Sequence, residues 1–434
     1  MRTSDLLYDL LAKVSEVGRS LSSLSERAAG ASPEALAGLC QDLLTGRGEA
    51  TGLALARQIL ERVKVLSTAE RAAFFEALRT RFGVNPERLR RAVERWQAEP
   101  SDEAARALHA AAEPRAQELI RQLNRVPGAT ATLVAMRRDL IRAMAENPGL
   151  RGLDEDFRHL FGSWFNRGFL ELRTIDWSTP AAILEKIIRY EAVHAIADWD
   201  DLRRRVAAPD RRLYAFFHPA LTQEPLIFVE VALTEAIPSA IGPILTEERP
   251  ELAPKRATTA VFYSISNCQE GLRGVSFGNF LIKQVVEDLQ AEFPGLRTFV
   301  TLSPVPGLRA WALEHAVGEE QAMVEALESD KAVAAEALAP LAARYLVEAR
   351  HPRGGALDPV ARFHLGNGAR LEQINTGADT SERGRRNAWG VMVNYLYDLD
   401  HIEKNHEAYA EEGAIATASQ VRRLLKSRRT AASA

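Results

Sequence analysis

The stretch "ATTAVFYSISNCQEGLRGVSFGNFLIKQVVEDLQAEF", residues 257–293, decides the fold. Its first ten residues form an apolar run that predicts a strand, and helical periodicity begins near residue 280. The turn between them carries Gly271, Gly274 and Gly278. Glycines let a backbone approach a ligand closely, and free amides at a helix start favour an anion. Since neither a P-loop nor a clean G-x-G-x-x-G pattern is present, the spacing fits a phosphate-binding loop and a plain tight turn equally well.

The next segment, "TFVTLSPVPGLRAW" at residues 298–311, predicts a second strand that ends at Ser303. Ligands bind beyond the carboxyl ends of parallel strands, so the Ser303 hydroxyl should face the ligand of the loop if the two strands are neighbours. Pro304 and Pro306 would stiffen the backbone behind it. No G-x-S-x-G elbow is present, which argues against an ordinary α/β-hydrolase nucleophile. A strand-ending turn without chemistry is the alternative.

Two later segments carry further candidate residues. In "ARFHLGNGARLEQIN", residues 361–375, His364 lies in a short strand-like run before turn glycines, so it is either structural or close to a substrate. In "NYLYDLDHIEKNHEAY", residues 394–409, the tyrosines either line a polar pocket or pack in the core. His401 and His406 stand five residues apart, which does not match H-E-x-x-H, and we expect no metal.

The rest of the chain divides into two parts with different patterns. Residues 1–160 show helical periodicity, with a capping box at Ser67 and Glu70. From residue 163 strands and helices mix, and a hairpin is predicted from "LYAFFHP" and "LIFVEVAL". A chain of 434 residues is also too long for one ordinary core. We therefore predict an all-α helical bundle at 1–162, followed by an α+β domain with a mixed sheet at 163–434.

Composition limits the classes of function. The formal net charge of −3 gives no strong field for nucleic acid or an anionic membrane surface. Cys40 and Cys268 form no C-x-x-C pair, which excludes a disulfide scaffold and a cysteine zinc site and fits a reducing compartment. Asp5 and Asp9 interrupt the N-terminus, so no signal peptide is expected. The C-terminus shows no peroxisomal address, and we expect a cytoplasmic protein without membrane partners.

Taken together, the segments resemble the malonyl-CoA decarboxylase family. The resemblance covers roughly residues 160–400 and rests on segments that occur in the family's order: "SWFNRGFLELRTIDWSTPAAILEKIIRYEAVHAI", "FYSISNCQEGLRGVSFGNFLIK", "LSPVPG", "FHLGNGA" and "NYLY". It implies a helical domain ahead of an acetyltransferase-like (GNAT) catalytic domain that binds acyl-CoA. Because helical bundles readily pair by symmetric contacts, we also expect the helical domain to have a role in oligomerisation. The loop pattern Gln-x-Gly-Leu-Arg-Gly-Val is similar to the pyrophosphate-binding loop of that fold.

The resemblance also implies site residues. The family's catalytic serine and histidine fall on Ser303 and His364, and the second tyrosine of N-Y-x-Y, Tyr397, would support the pocket together with Asn367. The coenzyme A loop falls on Arg273, Gly274, Val275, Ser276, Phe277, Gly278 and Asn279. Some relatives carry an acidic residue where this chain has Ser276, so a carboxylate role is not expected there.

The implied reaction converts malonyl-CoA to acetyl-CoA and CO2 without metal or biotin. Ser303 and His364 would stabilise and protonate the enolate. The expected cofactor set is empty, since coenzyme A is part of the substrate, and the expected assembly is a homo-oligomer, dimer or tetramer. Two alternatives remain at this point: an acyl-CoA N-acyltransferase of the same fold, and a non-catalytic malonyl-CoA-binding regulator.

Overall fold

The computed structural model describes residues 32–45, 48–275, 281–329, 331, 333–352 and 354–431. The chain divides into two compact units. The first, here called the helical unit, comprises Met1–Phe169, His218–Thr222 and Gln269–Phe277. The second, the sheet unit, comprises Leu170–Phe217, Gln223–Cys268 and Gly278–Ala434. Residues 1–31 of the predicted helical domain lie outside the described residues.

The described part of the helical unit is built from eight α-helices, as the sequence predicted. They are α1 (Pro33–Leu43), α2 (Glu49–Val65), α3 (Thr68–Arg81), α4 (Pro86–Ala98), α5 (Asp102–Ala112), α6 (Arg115–Asn124), α7 (Ala129–Ala143) and α8 (Arg151–Trp164). The predicted capping box of Ser67 and Glu70 opens α3. The largest fully buried aromatic side chains of its core include Phe74, Phe75, Phe82, Phe157, Phe161 and Phe165.

The described part of the sheet unit contains one mixed, eight-stranded sheet. Its strands are β1 (Glu171–Ile175), β2 (Arg211–Phe217), β3 (Ile227–Thr234), β4 (Thr259–Asn267), β5 (Thr298–Thr301), β6 (Ser303–Pro304), β7 (Arg370–Asn375) and β8 (Met392–Leu396). The order is β1-β2-β3-β4-β5-β8-β6, and β7 pairs with β8. Among these strands only the β4–β5 pair is parallel, and the predicted β2–β3 pairing is confirmed as antiparallel.

Eleven α-helices belong to the described part of the sheet unit. They are α9 (Ala181–Tyr190), α10 (Trp199–Val206), α11 (Gly242–Leu245), α12 (Leu281–Glu292), α13 (Leu308–His315), α14 (Glu319–Glu328), α15 (Leu338–Val347), α16 (Pro359–Gly366), α17 (Glu382–Ala388), α18 (Ile402–Glu412) and α19 (Ser419–Ala431). The parallel unit β4–α12–β5 confirms the predicted strand, loop, helix and second strand within a mixed sheet. None of the described helices has the length and apolar character needed to cross a membrane.

Two predictions about the elements that carry site residues were wrong. His364 lies on helix α16 and not on a strand, because the Asp358 side chain caps the helix and Pro359 occupies its first turn. The strand after α12 ends at Thr301, and Ser303 belongs to the separate short strand β6, which pairs with β8. Ser303 therefore lies beyond the end of the parallel β4–β5 pairing, whose last pair is Phe262 with Thr301.

Helix α9 begins without a side-chain cap. Pro180 occupies the cap position, and neither Ser178 nor Thr179 caps the helix. The two hydroxyls instead turn back toward the Asp176 carboxylate, and Ser178 Oγ donates to it at 2.6 Å. The local Asx-type turn therefore takes the hydroxyls that the helix would otherwise use.

Candidate active site

Ser303 and His364 meet in the interior of the sheet unit. Ser303 Oγ and His364 Nε2 are 3.2 Å apart although the residues are separated by 61 positions in the chain. Both residues are buried, at 5% and 3% exposure. Strand β6 presents the serine and helix α16 presents the histidine, so two different elements supply the pair. The distance allows proton transfer between the two groups.

The pair belongs to a chain of hydrogen bonds with a definite direction. Ser303 Oγ donates its only proton to Thr301 Oγ1 at 2.8 Å, so it must accept from the Nε2–H of His364. A neutral imidazole carries one N–H, which leaves Nδ1 as an acceptor for the Tyr397 hydroxyl at 2.8 Å. The donors therefore run from Tyr397 through His364 and Ser303 to Thr301.

The electrostatics of this chain follow from burial. Desolvation lowers the pKa of His364 to about 3, so its ring is neutral near pH 7. Burial likewise raises the pKa of Tyr397, whose hydroxyl stays protonated. The ring of Tyr395 stacks on His364 with a centroid distance of 4.7 Å and fixes the plane of the imidazole. An anionic ligand would reverse this balance, since an opposite charge nearby favours the imidazolium form.

Buried amides support the strand end beside Ser303. Asn394 Nδ2 donates to the Thr301 carbonyl at 2.8 Å, and Asn394 Oδ1 accepts from Asn375 Nδ2 at 2.6 Å. Asn394 is fully buried, so it anchors the backbone rather than lining an open pocket. Asn367 lies at the end of α16, where its Nδ2 donates to the Phe363 carbonyl at 2.7 Å. Substrate binding by Asn367 stays a prediction.

The described part of the predicted coenzyme A loop belongs to the helical unit, where Arg137 of α7 holds it. Arg137 is 1% exposed and pairs with Asp154 of α8 at 2.8 Å. Its guanidinium also donates to the carbonyls of Gly271 and Arg273, at 2.8 and 2.9 Å. Arg158 donates to the Gly274 carbonyl at 3.3 Å. The loop backbone is thus fixed by two arginines that lie more than a hundred residues away in the chain.

Close packing against helix α7 requires glycine at position 271. A Cβ there would overlap the backbone carbonyl of Val134 on α7, so only glycine allows this approach. The Arg273 side chain is 68% exposed and its Nη2 lies 3.5 Å from Glu270 Oε1. Val275 is buried. The other predicted loop residues, Ser276, Phe277, Gly278 and Asn279, lie outside the described residues.

The sequence did not identify Thr301, Arg137 or Arg158 as site-supporting residues. Thr301 lies in the quoted strand, and a hydroxyl two residues before Ser303 on a buried strand could have signalled it. The arginines carry no local signal, because they contact the loop only through the tertiary fold. Within the described ranges no group of three or more His, Cys, Asp or Glu side chains could hold a metal ion. The expectation of a metal-free reaction stays a prediction.

Comparison with known proteins adds independent findings. Family models described as the malonyl-CoA decarboxylase C-terminal and N-terminal domains match residues 168–434 and 82–165. The mitochondrial malonyl-CoA decarboxylase of Anser anser anser is 37% identical over 348 residues, which cover 71% of this chain and 69% of that protein.

Solved structures of bacterial proteins are also similar. The crystal structure of malonyl-CoA decarboxylase from Rhodopseudomonas palustris has a TM-score of 0.87 and 53% identity, and covers 91% of this chain and 100% of that chain. The corresponding structure from Agrobacterium vitis has a TM-score of 0.84 and 51% identity, with coverage of 90% and 99%.

Proposed function

Because this chain belongs to the malonyl-CoA decarboxylase family, we propose that it converts malonyl-CoA to acetyl-CoA and CO2 with Ser303 and His364 as its catalytic pair. The observation that carries the assignment of the pair is the buried contact of 3.2 Å between Ser303 Oγ and His364 Nε2. Ser303 lies just past the carboxyl end of β5, where the parallel β4–β5 pairing ends, and this position supports a ligand-binding role.

The reaction makes three demands on the protein. Loss of CO2 breaks the bond between the α-carbon and the carboxylate carbon, and the electron pair passes into a thioester enolate. The protein must hold the carboxylate out of the thioester plane, stabilise the enolate oxygen and protonate the α-carbon. Fixed donors in a site that excludes water can stabilise the enolate by several kcal/mol. We propose that these donors suffice without metal or biotin.

His364 and Ser303 would deliver the proton together. The negative charge of the bound malonyl group would offset the desolvation of His364 and let its ring take up a proton from solvent. After CO2 leaves, Ser303 gives its hydroxyl proton to the α-carbon and receives the Nε2 proton of His364. The proton balance closes, since the reaction consumes one proton and the ring returns to its neutral form. Tyr397 would accept from Nδ1–H of the imidazolium and of the neutral ring that it leaves. The resting Nε2–H tautomer would return when Nε2 takes up a proton from solvent and Nδ1 releases its own.

The loop at residues 273–279 would bind the coenzyme A pyrophosphate. The resemblance of its sequence supports this role, as do the arginine contacts that fix its backbone and the exposed guanidinium of Arg273. We also propose a cytoplasmic homo-oligomer that assembles through the helical unit. Two buried free cysteines fit a reducing compartment, and light scattering on the purified protein would give the subunit number.

The test is turnover of malonyl-CoA by the purified protein, with a chelator and avidin present and with CO2 and acetyl-CoA both measured. Ser303→Ala and His364→Ala should each lower kcat by about 100-fold or more, the scale of a general acid–base group. Circular dichroism would establish that the variants are folded. Turnover within threefold of the wild type in either variant would move the site elsewhere.

Other outcomes would replace the function itself. Tight binding of malonyl-CoA without turnover would indicate a regulator. Transfer of an acyl group from acetyl-CoA to an added amine, without CO2 release from malonyl-CoA, would indicate an acyltransferase.

A further inference from the structure

A buried carboxyl group that the reaction does not use lies at the start of helix α16. Asp358 is fully buried, and its Oδ1 accepts from the backbone N–H groups of Val360 and Ala361, both at 2.9 Å. Its Oδ2 accepts from the hydroxyl of Tyr345, on helix α15, at 3.2 Å. Asp358 thus caps the helix that carries His364 six positions later, with its second oxygen directed to another element.

The segment that follows Ser303 lies against the same group. A Cβ on Gly307 would overlap the Tyr345 hydroxyl and would lie 3.8 Å from Asp358 Oδ2. The backbone N–H of Gly307 is among the groups that counter the effect of burial on the pKa of Asp358. The φ of Gly307 is −97°, an ordinary value, so glycine is needed here for close approach and not for a left-handed backbone.

Among the described residues, Asp358 has no cationic partner that would explain its burial. Among the residues that the structure describes, no lysine, arginine or histidine lies within salt-bridge distance of it, in contrast to the buried Asp154. A buried carboxyl group without a counter-ion costs stability and is tolerated only when its oxygens are well hydrogen-bonded. Its contacts instead join three segments: helix α15, helix α16 and the turn after Ser303.

Short, stiff connections link this cluster to the catalytic pair. Asp358 caps the eight-residue helix α16 that carries His364. Ser303 precedes Gly307 by four positions, and two of the intervening residues, Pro304 and Pro306, have restricted backbones. A displacement of the Asp358 cluster is therefore passed to both members of the pair.

We propose that Asp358, with Tyr345, is a positioning residue that holds helix α16 and the turn after Ser303 in one fixed arrangement, so that His364 Nε2 and Ser303 Oγ stay in contact. The role rests on the proposed function, because it matters only if the pair performs the chemistry. A misplacement of about 1 Å in a catalytic group can lower the rate by about 100-fold. Asp358→Ala should therefore reduce kcat by roughly 10- to 100-fold.

Two further variants separate positioning from capping. Asp358→Asn keeps the oxygen that caps α16, since asparagine caps helices as well as aspartate, but replaces the acceptor facing Tyr345 with an amide donor. Tyr345→Phe removes the hydroxyl from the other side. Each should lower kcat by roughly threefold to tenfold while KM stays within about twofold, because a positioning residue does not contact the substrate.

Asp198→Ala is the matched control. Asp198 caps helix α10 through a 2.8 Å bond to the Asp201 N–H, but it is exposed. Its loss should lower the thermal midpoint without lowering kcat. Nitrogen-15 NMR of histidine-labelled protein gives a second readout, with the His364 signals assigned by their loss in His364→Asn. The Nε2–H form seen in the wild type should shift or broaden in Asp358→Asn and Tyr345→Phe.

The ways in which the proposal can fail are distinguishable. If Ser303→Ala keeps its turnover, the assignment of the catalytic pair fails and the positioning role fails with it, whatever the Asp358 variants do. If Ser303→Ala and His364→Ala are inactive, but Asp358→Asn and Tyr345→Phe keep kcat within twofold and the His364 signals of the wild type, only the positioning role is overturned. If Asp358→Ala does not fold, the other two variants still decide.

Discussion

The Ser303–His364 pair and the loop at 269–275 are both fixed by buried side chains, but neutral groups hold the pair and charged groups hold the loop. The pair is held by neutral hydroxyl and imidazole groups, which donate in one direction from Tyr397 to Thr301. The loop is held by charge, through a guanidinium that Asp154 neutralises. Neutral hydrogen bonds can reverse when a proton moves, whereas an ion pair keeps its direction. The difference fits one region that handles protons and another that keeps a constant shape.

The two regions should also respond differently to the loss of one group. Breaking a buried ion pair leaves an uncompensated charge, which costs more than the pair itself contributes to stability. Removing one hydroxyl from a neutral chain leaves a single unsatisfied acceptor, at about 1–3 kcal/mol. Substitution of the residues that hold the loop should therefore lower mainly the free energy of unfolding and substrate affinity. Substitution of residues around the Ser303–His364 pair should lower mainly kcat.

The largest effect is expected from Arg137→Ala. The change leaves Asp154 buried without its partner and releases the carbonyls of Gly271 and Arg273. The free energy of unfolding should fall by about 3–5 kcal/mol in denaturant titrations. If the loop binds coenzyme A, KM for malonyl-CoA should rise by more than kcat falls.

Arg121→Ala is the control for this variant. Arg121 pairs with Glu113 in the same unit, but both side chains are more than a third exposed, so the loss should be at most about 1 kcal/mol. A loss for Arg137→Ala no greater than that for Arg121→Ala, with KM unchanged, would contradict the view that charge fixes the loop.

A smaller effect is expected from Tyr397→Phe. It removes the donor to His364 Nδ1, so the ring loses one of the two bonds that set its tautomer. We expect kcat to fall by roughly tenfold, equivalent to about 1.4 kcal/mol of transition-state stabilisation. The measurement is a steady-state comparison with Tyr395→Phe.

Tyr395 is a close match for Tyr397, since it is also buried and its ring also contacts His364. Its hydroxyl has no hydrogen-bond partner among the described residues, so its removal should leave kcat within twofold. Equal losses in both variants would show that ring packing, and not the hydrogen bond to Nδ1, orients the imidazole.

The difference between the two regions also explains what the sequence could predict. Ser303 and His364 lie in motifs whose resemblance to a family is specific, and the strand–loop–helix unit follows from local periodicity. The sequence near His364 did contain the information needed to assign it to a helix, because Asp358 followed by Pro359 is a helix-start signal. No local sequence signal indicated the roles of Arg137 and Tyr345, since both roles depend on contacts between segments that are distant in the chain.

The smallest expected effect is the pH dependence of the free energy of unfolding. It tests whether His364 is neutral in the folded protein. Burial lowers the pKa of His364 to about 3 and that of His194 to about 4, whereas histidine in the unfolded chain titrates near 6.5. Between these values the unfolded chain binds more protons than the folded one, so the free energy of unfolding rises with pH and is lost as the pH falls below about 6.5. Each histidine should account for about 1 kcal/mol of the stability lost between pH 7 and pH 5.5.

Urea titrations at the two pH values measure this contribution. His364→Gln and His194→Gln should each reduce the loss by about 1 kcal/mol, because glutamine does not titrate. His401→Gln, at an exposed histidine, is the reference for the effect of the substitution itself. An undiminished loss in His364→Gln would mean that its ring takes up a proton in the folded protein over the same pH range as in the unfolded chain. Because an imidazolium donates from both nitrogens, the direction of the bond between Tyr397 and His364 Nδ1 would then have to be assigned again.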